Sequence, residues 1–192
     1  WSIGDRGYHV RTPDGRVLAD PRSGAVFRCE PDGSNLEVFH TGLRNPQELA
    51  FNALGDLFTG DNTSDAGDQA RMVFVAEDGE TGWCMDYQTL EGQNQRGPWN
   101  QELTWQVLTD ENRDLRPAWV LPPLAHVGSG PSGLVYYPGL GLPERYDDTL
   151  FMCDFRGSRP ASSVWSMRAV PDGAGYRIED AEKFLENVLC TD

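Results

Sequence analysis

Leu57-Phe58-Thr59-Gly60-Asp61 is a short apolar run closed by an aspartate, and the plan returns at Leu150-Phe151-Met152-Cys153-Asp154. Trp1-Ser2-Ile3-Gly4-Asp5 follows it a third time. Runs this short, bounded by turn residues, read as strands rather than helices. Two of them are preceded by another such run that starts after a proline, 47–52 after Pro46 and 132–137 after Pro131. Each aspartate is followed, after a loop, by a further strand (25–29, 71–76, 163–167). A turn then comes at Pro31-Asp32-Gly33, Glu77-Asp78-Gly79 and Pro171-Asp172-Gly173. The order strand, strand-Asp, loop, strand, turn, strand thus occurs about three times, and such a four-stranded unit is a propeller blade. The expected fold is all-β, with about three blades at 1–42, 43–125 and 126–192. The middle blade carries an insertion over about 85–124, rich in Gln, Asn, Pro and Trp. Helical periodicity is confined to 180–189 and 100–109, where an amphipathic turn or two is expected.

Composition agrees with a turn-rich globular chain. Of 192 residues, 21 are Gly and 13 are Pro, and 39% are apolar. No apolar run is long enough to span a membrane. A formal charge of −14 argues against nucleic acid and anionic membrane surfaces as partners. Closing a propeller takes about four to eight blades. Three leave open edges, so the remaining blades are expected on the same protein or on a partner chain. The absence of a leader before Trp1, and the stop at Cys190-Thr191-Asp192, carry the same expectation of a longer parent. Cys29, Cys84, Cys153 and Cys190 show no Cys-x-x-Cys spacing, which leaves zinc ribbons and covalent haem unsupported. They allow three disulfide pairings suited to an oxidising compartment, or four thiols that act as small apolar residues.

Candidate chemistry is densest over 42–68. Leu43-Arg44-Asn45-Pro46-Gln47 enters a strand, and Arg44 beside Asn45 offers a fork of donors to a carboxylated or quinoid ligand. An exposed ion pair is the plainer reading of Arg44. The loop 61–68, with three Asp, one Asn and a Gly, matches the oxygen chemistry of Ca²⁺ in composition but has no EF-hand spacing. A solvated turn with Asx hydrogen bonds reads equally well.

Ser2-Ile3-Gly4-Asp5-Arg6-Gly7, Leu43-Arg44-Asn45-Pro46-Gln47, the 61–68 loop and Gly82-Trp83 together resemble the glucose/sorbosone dehydrogenase family. Pro131-Ser132-Gly133-Leu134 and the 150–157 stretch resemble a later blade of it. The nearest in character are the large membrane-bound dehydrogenase-like proteins of planctomycete-type bacteria. The resemblance implies a six-bladed propeller that uses pyrroloquinoline quinone (PQQ) and Ca²⁺ to oxidise a sugar or alcohol. It places Arg44 and Asn45 on the quinone, with Arg6 where the family has a Gln, and Arg156 or Arg159 as later basic contacts. Thr63 and Ser64 fall where the family offers carbonyl ligands to Ca²⁺, with Asp68 just downstream. Tyr137 stands where the family has a cofactor-binding Lys. The family's general base, a His, falls upstream of Trp1. A periplasmic or extracellular location and a small sugar or alcohol substrate follow from the same likeness.

Three other sets of residues are weighed beside these. His9 and His126 are candidates to face the site, whereas His40 is expected at the surface. Trp83, Trp105, Trp119 and Trp165 read as core between blades, and Trp99 with 93–101 as a carbohydrate-facing loop. Two alternatives to an oxidoreductase remain. One is a non-catalytic propeller that binds protein or polysaccharide. The other is a Ca²⁺-dependent lactonase-type hydrolase, whose metal would need Asp5, Asp61 and Asp154.

Overall fold

The computed structural model describes residues 1–63, 69–85 and 121–191. The chain begins with β1 (Ser2–Ile3), β2 (Tyr8–Arg11), β3 (Val17–Asp20), β4 (Gly24–Arg28) and β5 (Glu37–Leu43). It continues with β6 (Pro46–Phe51), β7 (Leu57–Asp61), β8 (Arg71–Phe74), β9 (Gly79–Glu80) and β10 (Ala125–His126). The last stretch forms β11 (Pro131–Tyr137), β12 (Thr149–Asp154), β13 (Ser163–Asp172) and β14 (Gly175–Glu186). No α-helix occurs among the described residues. The strands form three four-stranded sheets and a separate β2–β3 hairpin.

The chain divides into two compact units. The first comprises Trp1–Pro46 and the described part of Ala76–Pro122. Its sheet has the order β1-β4-β5-β9, with β1, β4 and β5 antiparallel and β9 parallel to β5. Alternation in β2 and β3 turns Tyr8, Val10 and Leu18 onto a core of Ala25, Phe27 and Leu36. Trp1 stacks on Phe27 at 4.2 Å between ring centroids, and Tyr8 meets the same ring edge-on at 4.8 Å.

The second unit comprises Gln47–Thr63, Gln69–Val75 and Pro123–Asp192. Its sheets are β10-β8-β7-β6 and β11-β12-β13-β14. They share one core built on Phe58, Met72, Leu134, Leu150, Met152 and Met167. Gly60 sits at the closest approach: a Cβ there would fall 2.8 Å from Pro131 Cβ and 3.1 Å from Met152 Sδ. The glycine of the repeated Asp-terminated run therefore permits close packing.

Three sequence expectations change. Residues 180–189 do not make an amphipathic helical turn; they continue β14 as far as Glu186. The turn at Pro171-Asp172-Gly173 folds β14 back along β13, and register shifts between Val164 and Trp165 and between Ser166 and Arg168 break its alternation. Asp180, at φ 52°, lies in that irregularity. His40 is not a surface residue. It is 1% exposed, and Nδ1 donates to the Ala76 carbonyl at 2.9 Å. The third change concerns Glu77-Asp78-Gly79, which does turn the chain but leads to β9, a strand of the first sheet beside β5. The place beside β8 in the second sheet is taken by β10. The expected turn over 100–109 and most of the insertion lie outside the described residues.

Candidate functional site

Three stretches far apart in sequence meet in the first unit. Gly4-Asp5-Arg6-Gly7 forms a turn in which the Gly7 N–H donates to the Gly4 carbonyl at 3.3 Å, and Gly7 has φ +82°. That turn docks on the connection between β5 and β6, because the Asp5 N–H donates to the Arg44 carbonyl at 2.7 Å. Asn45 Oδ1 lies 3.1 Å from where a Cβ on Gly4 would stand, so the amide packs directly over the glycine. Ser2 Oγ donates to the Pro46 carbonyl at 2.9 Å.

From the other side comes the stretch after β9. Thr81 Oγ1 donates to the Gly42 carbonyl at 2.6 Å, and the Trp83 N–H donates to the same carbonyl at 2.9 Å. The Trp83 ring is buried, and its Nε1–H donates to Asp5 Oδ2 at 2.8 Å. Arg44 and Asn45, both half-buried, thus follow the Gly42 carbonyl that Thr81 and Trp83 grip, and Gly4–Asp5 packs on them from the other side. Arg6 is exposed on the turn, with Nη1 3.9 Å from Met85 Sδ. At the margin of this cluster, burial and then the Asp20 and Glu80 carboxylates push the Tyr8 phenol up.

Of the remaining candidates, Thr63, His126, Tyr137, Arg156, Arg159 and Trp165 belong to the second unit and His9 to the first. Thr63 is buried, and its N–H bonds Asn62 Oδ1 at 2.8 Å. Ser64 and Asp68 lie outside the described residues, as do Trp99, Trp105, Trp119 and the 93–101 stretch. Arg156 is exposed after β12, with its N–H donated to Ser162 Oγ at 2.9 Å. Arg159 Nε donates to the Asn187 carbonyl at 2.8 Å. The Tyr137 hydroxyl accepts the N–H groups of Gly141 and Leu142 and so organises its own loop. His9 is exposed on the hairpin, and His126 is half-buried in β10. Trp165 packs against the second unit's core. The Cys190 thiol donates to the Ser163 carbonyl at 3.2 Å, and Cys29 is exposed.

The three strand-end aspartates have local partners that the sequence did not reveal. Asp5 accepts from Trp83, Asp61 is paired with the buried Arg71, and Asp154 Oδ1 accepts from Ser129 and Gly130 N–H at 2.9 and 2.7 Å. All three are buried. A repeated Asp is the signal that metal ligation and structural capping share, and burial with a local donor is what separates them. Among the described residues, no group of three or more His, Cys, Asp or Glu is placed to hold a metal.

No protein-family model matches the sequence, and no curated protein sequence matches it. The solved structures that the chain is similar to in fold include the following two. One is the PQQ-bound form of an aldose sugar dehydrogenase from Streptomyces coelicolor, at 18% identity and a TM-score of 0.52. That match covers 97% of this chain and 50% of the other. The second is an oxidoreductase from Thermus thermophilus described as a glucose dehydrogenase, at 20% identity and a TM-score of 0.47. It covers 78% of this chain and 35% of that one. The chain has the fold of part of a β-propeller. It spans half the length of the Streptomyces protein. The structural likeness falls on the same kind of protein as the sequence resemblance. Among the described residues, no helix is long and apolar enough to cross a membrane.

Proposed function

We propose that this chain is part of a PQQ-dependent sugar or alcohol dehydrogenase, exported to the periplasm or the cell exterior. The observation that supports this most is the meeting of Gly4–Gly7, Leu43–Pro46 and Gly82–Trp83 in one unit. These are three of the motifs that carry the family resemblance. The donor set suits the cofactor, since a carboxylated quinone needs cations and amide donors, and Arg6, Arg44 and Asn45 supply both. The chemistry PQQ would supply there is that of a hydride acceptor for the substrate carbon. Arg44 would hold the quinone through charge-assisted guanidinium N–H groups, and Asn45 would offer its side-chain amide. Arg6 adds positive charge from the exposed turn. A cofactor contact from Arg156 rests on the resemblance alone. Calcium ligation by Thr63, Ser64 and Asp68 rests on loop composition and on the resemblance. The division into blades 1–42, 43–125 and 126–192 belongs to the same reading.

A non-catalytic propeller is the second reading, favoured by Tyr137. A neutral phenol engaged by two backbone N–H groups stands where the resemblance expects a cofactor-binding lysine. One titration separates the readings. The complete protein that contains this chain is titrated with PQQ, with and without Ca²⁺, by calorimetry. Quinone binding supports the dehydrogenase, binding of neither ligand supports the non-catalytic propeller, and metal alone supports a lactonase-type hydrolase. Arg44→Ala is expected to weaken quinone binding by about 1.5–3 kcal/mol, the scale of a charge-assisted hydrogen bond. Unchanged affinity removes Arg44 from the site.

A further inference from the structure

We infer that Trp83 and Asp5 act as a positioning pair for Arg44 and Asn45, and are more than part of the core; this rests on the quinone-dependent reading above. Arg44 and Asn45 lie between β5 and β6, where strand pairing does not set their backbone. Two flanking contacts help to place them. Asp5 donates its N–H to the Arg44 carbonyl at 2.7 Å, and Gly4 lies under the Asn45 amide. Asp5, 6% exposed, is held in turn by its carboxylate, which accepts Trp83 Nε1–H at 2.8 Å. Burying a carboxylate is costly unless it is hydrogen-bonded, so the indole N–H keeps Asp5 inward and the turn in register. Trp83 also grips the same segment directly, through its N–H to the Gly42 carbonyl at 2.9 Å.

Trp83 therefore holds the Arg44 segment by two routes, one direct and one through Asp5. Gly42 is the glycine that makes the direct route feasible. It has φ +75°, and a Cβ there would run into Glu80 Oε1 and the Gly82 nitrogen and come within 2.6 Å of the Thr81 nitrogen. A side chain at Gly42 would push the two stretches apart. Ligand-contacting groups on a loop need this kind of support, because a displacement of about 1 Å is enough to cost about a hundredfold in function. Asp5 and Trp83 are positioning residues in this account; neither touches the cofactor.

The test uses the complete protein and three variants. Trp83→Phe keeps most of the buried ring and removes the Nε1–H. Asp5→Leu removes the acceptor, and Asp5→Asn keeps an oxygen that accepts from Trp83. PQQ affinity is measured by fluorescence quenching, with the thermal midpoint of each variant recorded alongside. Trp83→Phe and Asp5→Leu are expected to weaken PQQ binding about tenfold or more, while Asp5→Asn stays close to the parent. A purely structural pair would lower the midpoint and leave the affinity of the folded protein unchanged, which overturns the inference. If Asp5→Leu does not fold, the contrast between Trp83→Phe and Asp5→Asn decides. If the parent itself binds no quinone, the functional reading fails, and the pair is judged by hydrogen exchange at the Asp5 amide. Exchange that is about tenfold faster in Trp83→Phe supports the positioning link, and unchanged exchange overturns it.

Discussion

Asp154 shows what a single residue does here. Its carboxylate lies in a cradle made by Gly128-Ser129-Gly130, and both contributing N–H groups point at Oδ1. Gly128 has φ +66°, and a Cβ on it would lie 2.9 Å from the carboxylate carbon, so the wrap needs glycine. Asp154→Ala would strand two backbone donors in a buried place, at a cost of about 2–4 kcal/mol. A lower midpoint of chemical denaturation is the expected outcome, with Asp154→Asn intermediate because an amide oxygen still accepts. An unchanged midpoint for Asp154→Ala would show that water reaches the cradle. Sequence reading found Asp5, Asp61 and Asp154 as a repeat, but it could not tell a metal ligand from a cap. Both uses put an acidic side chain at a strand end, and they differ only in which donors the fold brings to it.

At the scale of elements, the β2–β3 hairpin closes on Thr12, Asp14 and Arg16. The Gly15 N–H donates to the Thr12 carbonyl at 2.9 Å, and Arg16 Nε donates to Asp14 Oδ2 at 2.7 Å. The Thr12 hydroxyl first, and Arg16 second, lower the Asp14 carboxyl from 3.8 to about 2. A carboxyl pKa lower in the folded state stabilises the hairpin above pH 3.8, and that contribution is lost as pH falls toward 2. Because Asp14 is solvent-exposed, the effect belongs to the turn rather than to global stability. A carboxyl chemical-shift titration should find Asp14 ionising near 2, moving up in Thr12→Ala. Ordinary titration in the parent chain would contradict the hydrogen bond. The strands that precede the three Xaa-Asp-Gly turns were legible for the same local reason, since short apolar runs between Gly, Pro and Asp have few alternatives. The end of β14 was not legible, because its bulges shift the alternation that identifies a strand.

At the scale of the whole molecule, each unit has a core of its own, and the sheet β11-β12-β13-β14 is apolar on both faces. One face carries Leu134, Leu150, Met152 and Met167 into the second unit's core. The other carries Val135, Tyr137, Phe151, Val164 and Phe184, which line a groove of about 510 Å³. Phe151 and Phe184 meet edge-on at 4.9 Å, and Val135 is 59% exposed. An open apolar face of this kind binds apolar dyes. The 192-residue chain should therefore enhance the fluorescence of an anilinonaphthalene sulfonate dye, and Val135→Glu should reduce the enhancement. Equal enhancement in the variant would place the dye elsewhere. By itself, the sequence determined the all-β class and the positions of most strands, because alternation and turn chemistry act over a few residues; the three motif stretches stood out only through the family resemblance. Only the tertiary structure decided that β9 joins the first sheet, that His40 is buried, and that Trp83 reaches Asp5 across 78 residues of chain. Those outcomes depend on which distant backbone supplies a partner, and no local pattern encodes that choice.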